Sequence, residues 1–200
     1  MITPIDLFNK YIDIFVPTFI NYPKEVDGKY TFTLTETDPA AKLKKVVISD
    51  VPQNTILLDM QKYSKLNMGE KMKDIINDES GFFKCCDYLL VSERNSKLYM
   101  IFIEMKSSNI DKPKIISQFK GASCFMVYCN AIIERFYNIP DKISDLQTSY
   151  ALLSWGNMNK KPTVRKNKYR KPLSPENYIH RKAGKTNLEK VPFEWFISYE

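Results

Sequence analysis

Apolar residues along the chain fall first into a helical spacing. Leu7, Phe8, Tyr11, Ile12, Phe15 and Val16 recur three and four apart, which predicts a packing helix over Asp6 to Phe19, interrupted at Pro17. The period then shortens to two. Tyr30 to Thr35 alternates and is rich in β-branched residues, and Leu43 to Ser49 and Thr55 to Met60 are further short strands set off by turn residues. Tyr63 to Ile76 has Leu66, Met72, Ile75 and Ile76 at positions that allow a helix, which Gly69 weakens by about 1 kcal/mol relative to alanine.

Two stronger strand signals follow, Phe82 to Val91 and Leu98 to Lys106, joined by Ser92 to Lys97, a stretch of hairpin composition. An antiparallel pair is the natural product. From Lys112 to Tyr137 the helical period returns, with Ile116, Phe119, Ser123, Met126, Ile133 and Phe136 aligned and Asp111 and Pro113 placed as cap and first-turn residues. The apolar run FMVYC inside that segment leaves a strand open as the alternative. Tyr150 to Ser154 reads as a buried strand and Phe193 to Tyr199 as a closing one. Helix, hairpin, helix and strand therefore sit inside a larger α/β or α+β frame. With 200 residues, 44% of them hydrophobic, and no repeat or linker, the expectation is one domain around one core.

Composition excludes some classes. No stretch approaches the roughly 20 apolar residues of a membrane span, and the start, MITPIDLFNKYIDIFVPTFINYP, lacks the basic lead-in of a signal peptide, so a cytoplasmic location is expected. Cys85 and Cys86 are adjacent and would point to opposite faces of a strand, Cys124 and Cys129 lie elsewhere, and the single histidine, His180, is distant. Buried free thiols are expected, not zinc or a disulfide.

The net charge of +7 is unevenly placed. Between Gly156 and Lys190 there are eleven Lys or Arg against Glu176 and Glu189, so that segment carries +9 and the remainder about −2. Its densest part holds Lys160, Lys161, Arg165, Lys166, Lys168, Arg170 and Lys171 around Tyr169, with no acid. Such a segment suits a phosphate backbone, through counterion release and base stacking, or is a solvated basic loop.

The chemistry concentrates on the hairpin. Asp87 lies in its first strand, in KCCDYLLV, and Glu104-Met105-Lys106 ends the second. Residues two apart share a face, so Glu104 and Lys106 project together while Met105 points into the opposite layer. A turn near Asn95-Ser96 sets Asp87 almost opposite Glu104. Two adjacent carboxylates raise one another's pKa and call for a compensating cation. Mg²⁺ is the natural choice, held by the carboxylates, water, phosphate oxygen and the Met105 carbonyl, with Lys106 placed to act on the attacking water.

An acid in a first strand, a hydrophobic strand ending Glu-x-Lys (here IFIEMKSS) and a following helix resemble the core of the PD-(D/E)XK phosphodiesterases, over about Gly81 to Tyr137. The resemblance implies a restriction-endonuclease-like fold, a central mixed β-sheet flanked by helices. It also implies a nuclease hydrolysing the phosphodiester bonds of DNA, with Asp87 and Glu104 binding Mg²⁺ or Mn²⁺ and Lys106 assisting water. The residue before Asp87 is Cys86 where the family's name-giving motif has proline. An upstream acid is implied as well, with Glu70 preferred over Asp74, Asp78 and Glu79, and a helical glutamine, which Gln118 matches, with Lys120 nearby as a phosphate contact. A compact member without a target-reading module suggests an antiphage-defence effector working with a protein partner, and cutting both strands suggests a homodimer. The rival expectation is a non-catalytic nucleic-acid-binding or adaptor subunit, in which Glu104 and Lys106 form a surface pair worth about 0–1 kcal/mol.

Overall fold

The computed structural model describes residues 3–15, 17–65, 84–107, 110–139, 146–156, 174–183 and 189–197. Helix α1, Pro4–Ile14, starts on a capping box in which Thr3 and Asp6 satisfy each other's backbone N–H groups, with Pro4 in the first turn. It ends earlier than the pattern predicts. Phe15 is already extended, and Pro17 opens a short 3₁₀ turn, Pro17–Phe19.

Strands β1 (Ile20–Asn21), β2 (Lys24–Val26), β3 (Lys29–Thr35), β4 (Lys45–Ser49) and β5 (Thr55–Asp59) follow, then helix α2, Met60–Lys65. The rest of the predicted helix up to Ile76 lies outside the described residues. Next come β6 (Tyr88–Arg94) and β7 (Lys97–Lys106), helix α3 (Lys112–Phe136), β8 (Gln147–Trp155), β9 (Ile179–Ala183), β10 (Glu189–Pro192) and helix α4 (Glu194–Ile197).

The strands build two mixed sheets. The larger has the order β1-β5-β6-β7-β8-β9, antiparallel from β1 to β7 and parallel from β7 to β9. The smaller has the order β10-β4-β3-β2, with β10 and β4 parallel. Alternation along β7 shows how the layers stack. Met100 and Phe102 pack with Leu7, Phe8 and Tyr11 of α1 and Phe119 of α3, while Ile101, Ile103 and Met105 pack with Leu34, Val46 and Ile48 of the small sheet, with Phe193, just before α4, and with Phe196 inside it. The central sheet is thus covered by helices on one face and by the second sheet on the other. That explains why β7 reads as an almost unbroken apolar run.

Helix α3 is continuous through FMVYC, which settles the open alternative, and its buried stripe is Ile115, Phe119, Ala122, Met126, Cys129 and Ile133, spaced four and three. The true stripe runs through Ile115 and leaves Phe136 79% exposed, unlike the predicted face. Ile116 and Ser123 of that face are only partly buried. The hairpin loop shrinks from six residues to two, Asn95 and Ser96, both at positive φ as a type I′ turn requires. Ser92, Glu93 and Arg94 belong to the ladder: the Ser92 hydroxyl is buried against Thr55, and Arg94 reaches Glu194, so their polarity has tertiary causes. The expected closing strand is not found over its described part, Phe193 to Ile197. Phe193 and Phe196, three apart, both enter the same core, as a helical turn allows, whereas a strand would send them to opposite faces; the strand of this region is β10, just before it.

All four cysteines are free. Cys86 and Cys129 are buried as expected and Cys85 partly so, but Cys124 is exposed, because it lies on the outer side of α3; Cys85 and Cys86 precede β6 instead of lying in it. No helix among the described residues is long and apolar enough to cross a membrane.

Candidate active site

The turn at Asn95-Ser96 fixes the hairpin register. Tyr88 pairs with Ile103, so the next position outward sets Asp87 against Glu104. Two hydrogen bonds lock the acids together. Asp87 N–H donates to Glu104 Oε2 at 3.2 Å, and Asp87 Oδ2 accepts from Met105 N–H at 2.7 Å. Glu104 is fully buried; its Oε1 meets the Lys106 ammonium as an ion pair and has no further hydrogen-bond partner among the described residues. Met105 is buried in the opposite layer, as alternation requires.

Gln118 of α3 lies on the same face as Glu104. Its Nε2 donates weakly to the Cys85 carbonyl at 3.4 Å, and its Oε1 is buried without a partner among the described residues. Burial, then the neighbouring Asp87 charge, push the Glu104 carboxyl up to about 8, against the opposing influence of Lys106 and Gln118. Asp87 is raised too, by burial, despite the Met105 N–H and the Lys106 charge. Burial disfavours the Lys106 ammonium, but the charge and hydrogen bond of Glu104, with Asp87 and Glu36, outweigh it and lift its pKa.

Sequence reasoning missed several contributors. Gln61, in the first turn of α2, donates to Asp87 Oδ1 at 3.0 Å, and Met60 N–H reaches the Asp87 carbonyl at 3.0 Å. Extending the antiparallel ladder to β5, where Asp59 pairs with Tyr88, would have pointed there. Glu36 has no local signal, because it arrives from the second sheet, yet its charge bears on both Asp87 and Lys106. The loop it opens is pinned to the site in three places. The Tyr88 hydroxyl accepts from Thr35 N–H and donates to its carbonyl, Ser107 Oγ accepts from Leu43 N–H, and Thr37 reaches Gln61.

Beside Lys106 and Met105 this loop and the start of α3 enclose a cavity of about 370 Å³, with Glu36, Asp38 and Asp111 outnumbering Lys106 and Lys114 on its walls. The donor set, two hard carboxylates close enough for the Asp87 charge to raise Glu104, fits a hard divalent cation more than a soft one. Among the described residues no group of three or more His, Cys, Asp or Glu is placed to hold a metal, so water, substrate oxygen or a backbone carbonyl such as that of Met105 would complete a coordination shell.

Asp87, Glu104, Lys106 and Gln118 are therefore brought together. Lys120 is exposed on α3 and ion-paired with Glu176 at 2.6 Å. Glu70, Asp74, Asp78 and Glu79 lie outside the described residues, as do Lys160, Lys161, Arg165, Lys166, Lys168, Arg170 and Lys171. In the sequence the basic segment follows Trp155, the end of β8, which stands one residue after Ser154, the register partner of Lys106. Compared with family models, with curated proteins and with solved structures, the chain finds no match in any of the three.

Proposed function

We propose that this protein is a divalent-metal-dependent nuclease of the PD-(D/E)XK type, hydrolysing phosphodiester bonds of DNA at Asp87, Glu104 and Lys106. One observation carries the reading. Glu104 is fully buried within the influence of a second acid, accepting from the Asp87 N–H and raised by the Asp87 charge, an arrangement that costs stability and that a purely structural strand end has no reason to keep. The rival adaptor reading rests on a Glu104–Lys106 surface pair, and a carboxylate with no exposure is not one. The mixed central sheet, flanked by α1 and α3 and carrying its acids at one end, supports the restriction-endonuclease-like fold.

Asp87 and Glu104 would hold Mg²⁺ or Mn²⁺, which when bound supplies a lowered pKa for water and a positive charge against the phosphorus oxygens. Gln61 and Met105 N–H hold the Asp87 carboxylate in place. Lys106, with its raised pKa, acts from Nζ as a donor that orients water and stabilises charge building on phosphate, not as the group that removes the proton. Gln118 Oε1 offers an unused acceptor to a water in the same space. The acid-rich cavity wall would repel a polyanion on its own, and a bound cation would offset that charge.

The test is incubation of purified protein with plasmid and single-stranded DNA in Mg²⁺, Mn²⁺ or EDTA. Cutting that needs the metal supports the reading; DNA binding with no cutting in either metal favours the adaptor. Cutting only with a co-encoded partner present would assign that partner a regulatory part.

A further inference from the structure

Five buried polar or charged side chains occur among the described residues: Thr55, Ser92, Glu104, Ser149 and Ser154. The scaffold accounts for three. Thr55 and Ser92 bond each other at 2.7 Å, with Thr55 also donating to the Pro52 carbonyl, and Ser149 donates to the Phe196 carbonyl at 2.8 Å. The remaining two stand side by side at the carboxyl ends of β7 and β8, where each meets a titratable side chain: Glu104 meets Lys106, and Ser154 Oγ lies 2.7 Å from His180 Nε2.

Register and alternation place all four on one face. Ser154 is the partner of Lys106 across the parallel β7–β8 pair, and His180 is the partner of Leu152, itself the partner of Glu104. Leu152 belongs to the helix-side core and Ile179 to the opposite one, so Ser154 and His180 share the helix-covered face with Glu104 and Lys106. Because its ring bonds Ser154, His180 sits over β8, one strand spacing, about 5 Å, from the row of Lys106. His180 is exposed overall, while its contact with Ser154 is partly buried. Burial, then the Lys182 charge, lower its pKa, so the ring is neutral at neutral pH.

Resting on the nuclease reading, we propose that His180, oriented by Ser154, is a substrate contact of the same site: it donates from Nδ1–H to the backbone phosphate next to the one being cut. A neutral ring whose Nε2 accepts a hydrogen bond from the Ser154 hydroxyl carries its one proton on Nδ1, which makes that nitrogen the donor. A nucleic-acid strand gripped at Lys106 and running along the carboxyl ends of the parallel strands passes over β8 and meets His180 there.

The test is steady-state cleavage of a single-stranded DNA oligonucleotide in Mg²⁺ by wild type, Glu104→Gln, His180→Ala, His180→Asn, His180→Gln and Ser154→Ala. With wild type active and Glu104→Gln inactive, His180→Ala is expected to raise KM about tenfold or more with kcat changed less than about twofold. His180→Asn, whose amide nitrogen falls near Nδ1, restores most of that loss; His180→Gln, which places it near Nε2, does not. Ser154→Ala gives a smaller KM rise, and the Mg²⁺-induced shift in melting temperature is the same in every His180 variant as in wild type. An unchanged KM in His180→Ala overturns this assignment and leaves the nuclease reading intact. A loss in kcat that both amides fail to restore also overturns it. Wild type that never cuts overturns the nuclease reading and the assignment with it.

Discussion

Replacing Glu104 by Gln should stabilise the metal-free protein, and do so only at high pH. The carboxyl titrates at about 8 in the fold against an ordinary value of 4.5. A group whose folded pKa is raised stabilises the fold fully below the unfolded pKa, and that stability is lost as pH rises towards the folded one, because the unfolded chain releases its proton first. At roughly 1.4 kcal/mol per unit, the loss for Glu104 is under about 1 kcal/mol at pH 5 and about 4 kcal/mol at pH 8. Glutamine keeps the shape and can still accept from Asp87 N–H, but gives up the attraction of Lys106. The net gain at pH 8 is then about 2–4 kcal/mol, or roughly 5–15 °C in Tm for a chain of this length. His180 is shifted the other way, and its contribution, lost as pH falls through 6.5, is common to both proteins and cancels in the difference. The assay is urea and thermal unfolding of wild type and Glu104→Gln in EDTA at pH 5 and pH 8, repeated with Mg²⁺ at pH 8. The gap should open between pH 5 and pH 8 and narrow with Mg²⁺, which stabilises wild type alone. A variant less stable than wild type at pH 8, or a gap independent of pH, would refute the claim that this site holds two buried acids that Lys106 alone does not fully compensate.

Three further outcomes follow from the same geometry. Gln61→Ala should lower Mg²⁺ affinity and cleavage about 10–100-fold with little change in Tm, read by metal titration of activity, because Gln61 fixes Asp87 Oδ1. Ser96→Gly should raise stability by about 0.4–1 kcal/mol in urea unfolding and leave activity unchanged, since Ser96 holds φ 59° in a turn far from the acids. Tyr88→Phe should cost about 1–3 kcal/mol, because it strips Thr35 N–H and C=O of the hydroxyl that satisfies both, and should also reduce activity by loosening the loop that carries Glu36.

What could be read from the sequence was what is local. The alternation of β7 and the position of Asn95-Ser96 were enough to set Asp87 against Glu104, because a hairpin register follows from its turn. The long period of α3 likewise placed Gln118 on the right helix. The misreadings come from places where distant contacts decide. Ser92, Glu93 and Arg94 looked like a loop because their polarity is answered by Thr55, Asn54 and Glu194, none of them neighbours in sequence. Phe193 to Tyr199 is as apolar as a strand, and only the burial of Phe193 and Phe196 on one side reveals a helical turn. Glu36 reaches the site from a second sheet whose β10 and β4 pair across most of the chain, a juxtaposition no periodicity encodes, and Gln61 arrives from the turn of helix after β5, the neighbour of β6.

The most direct measurement of the central claim is the single-turnover rate of Mg²⁺-dependent DNA cleavage for wild type, Asp87→Asn, Glu104→Gln and Lys106→Ala, with folding checked for each variant. The account predicts that the two acid variants lose cleavage and the Mg²⁺-induced rise in Tm together. Lys106→Ala should keep that rise but cut at least about a hundredfold more slowly. Cleavage that survives in Glu104→Gln at the wild-type rate would contradict it.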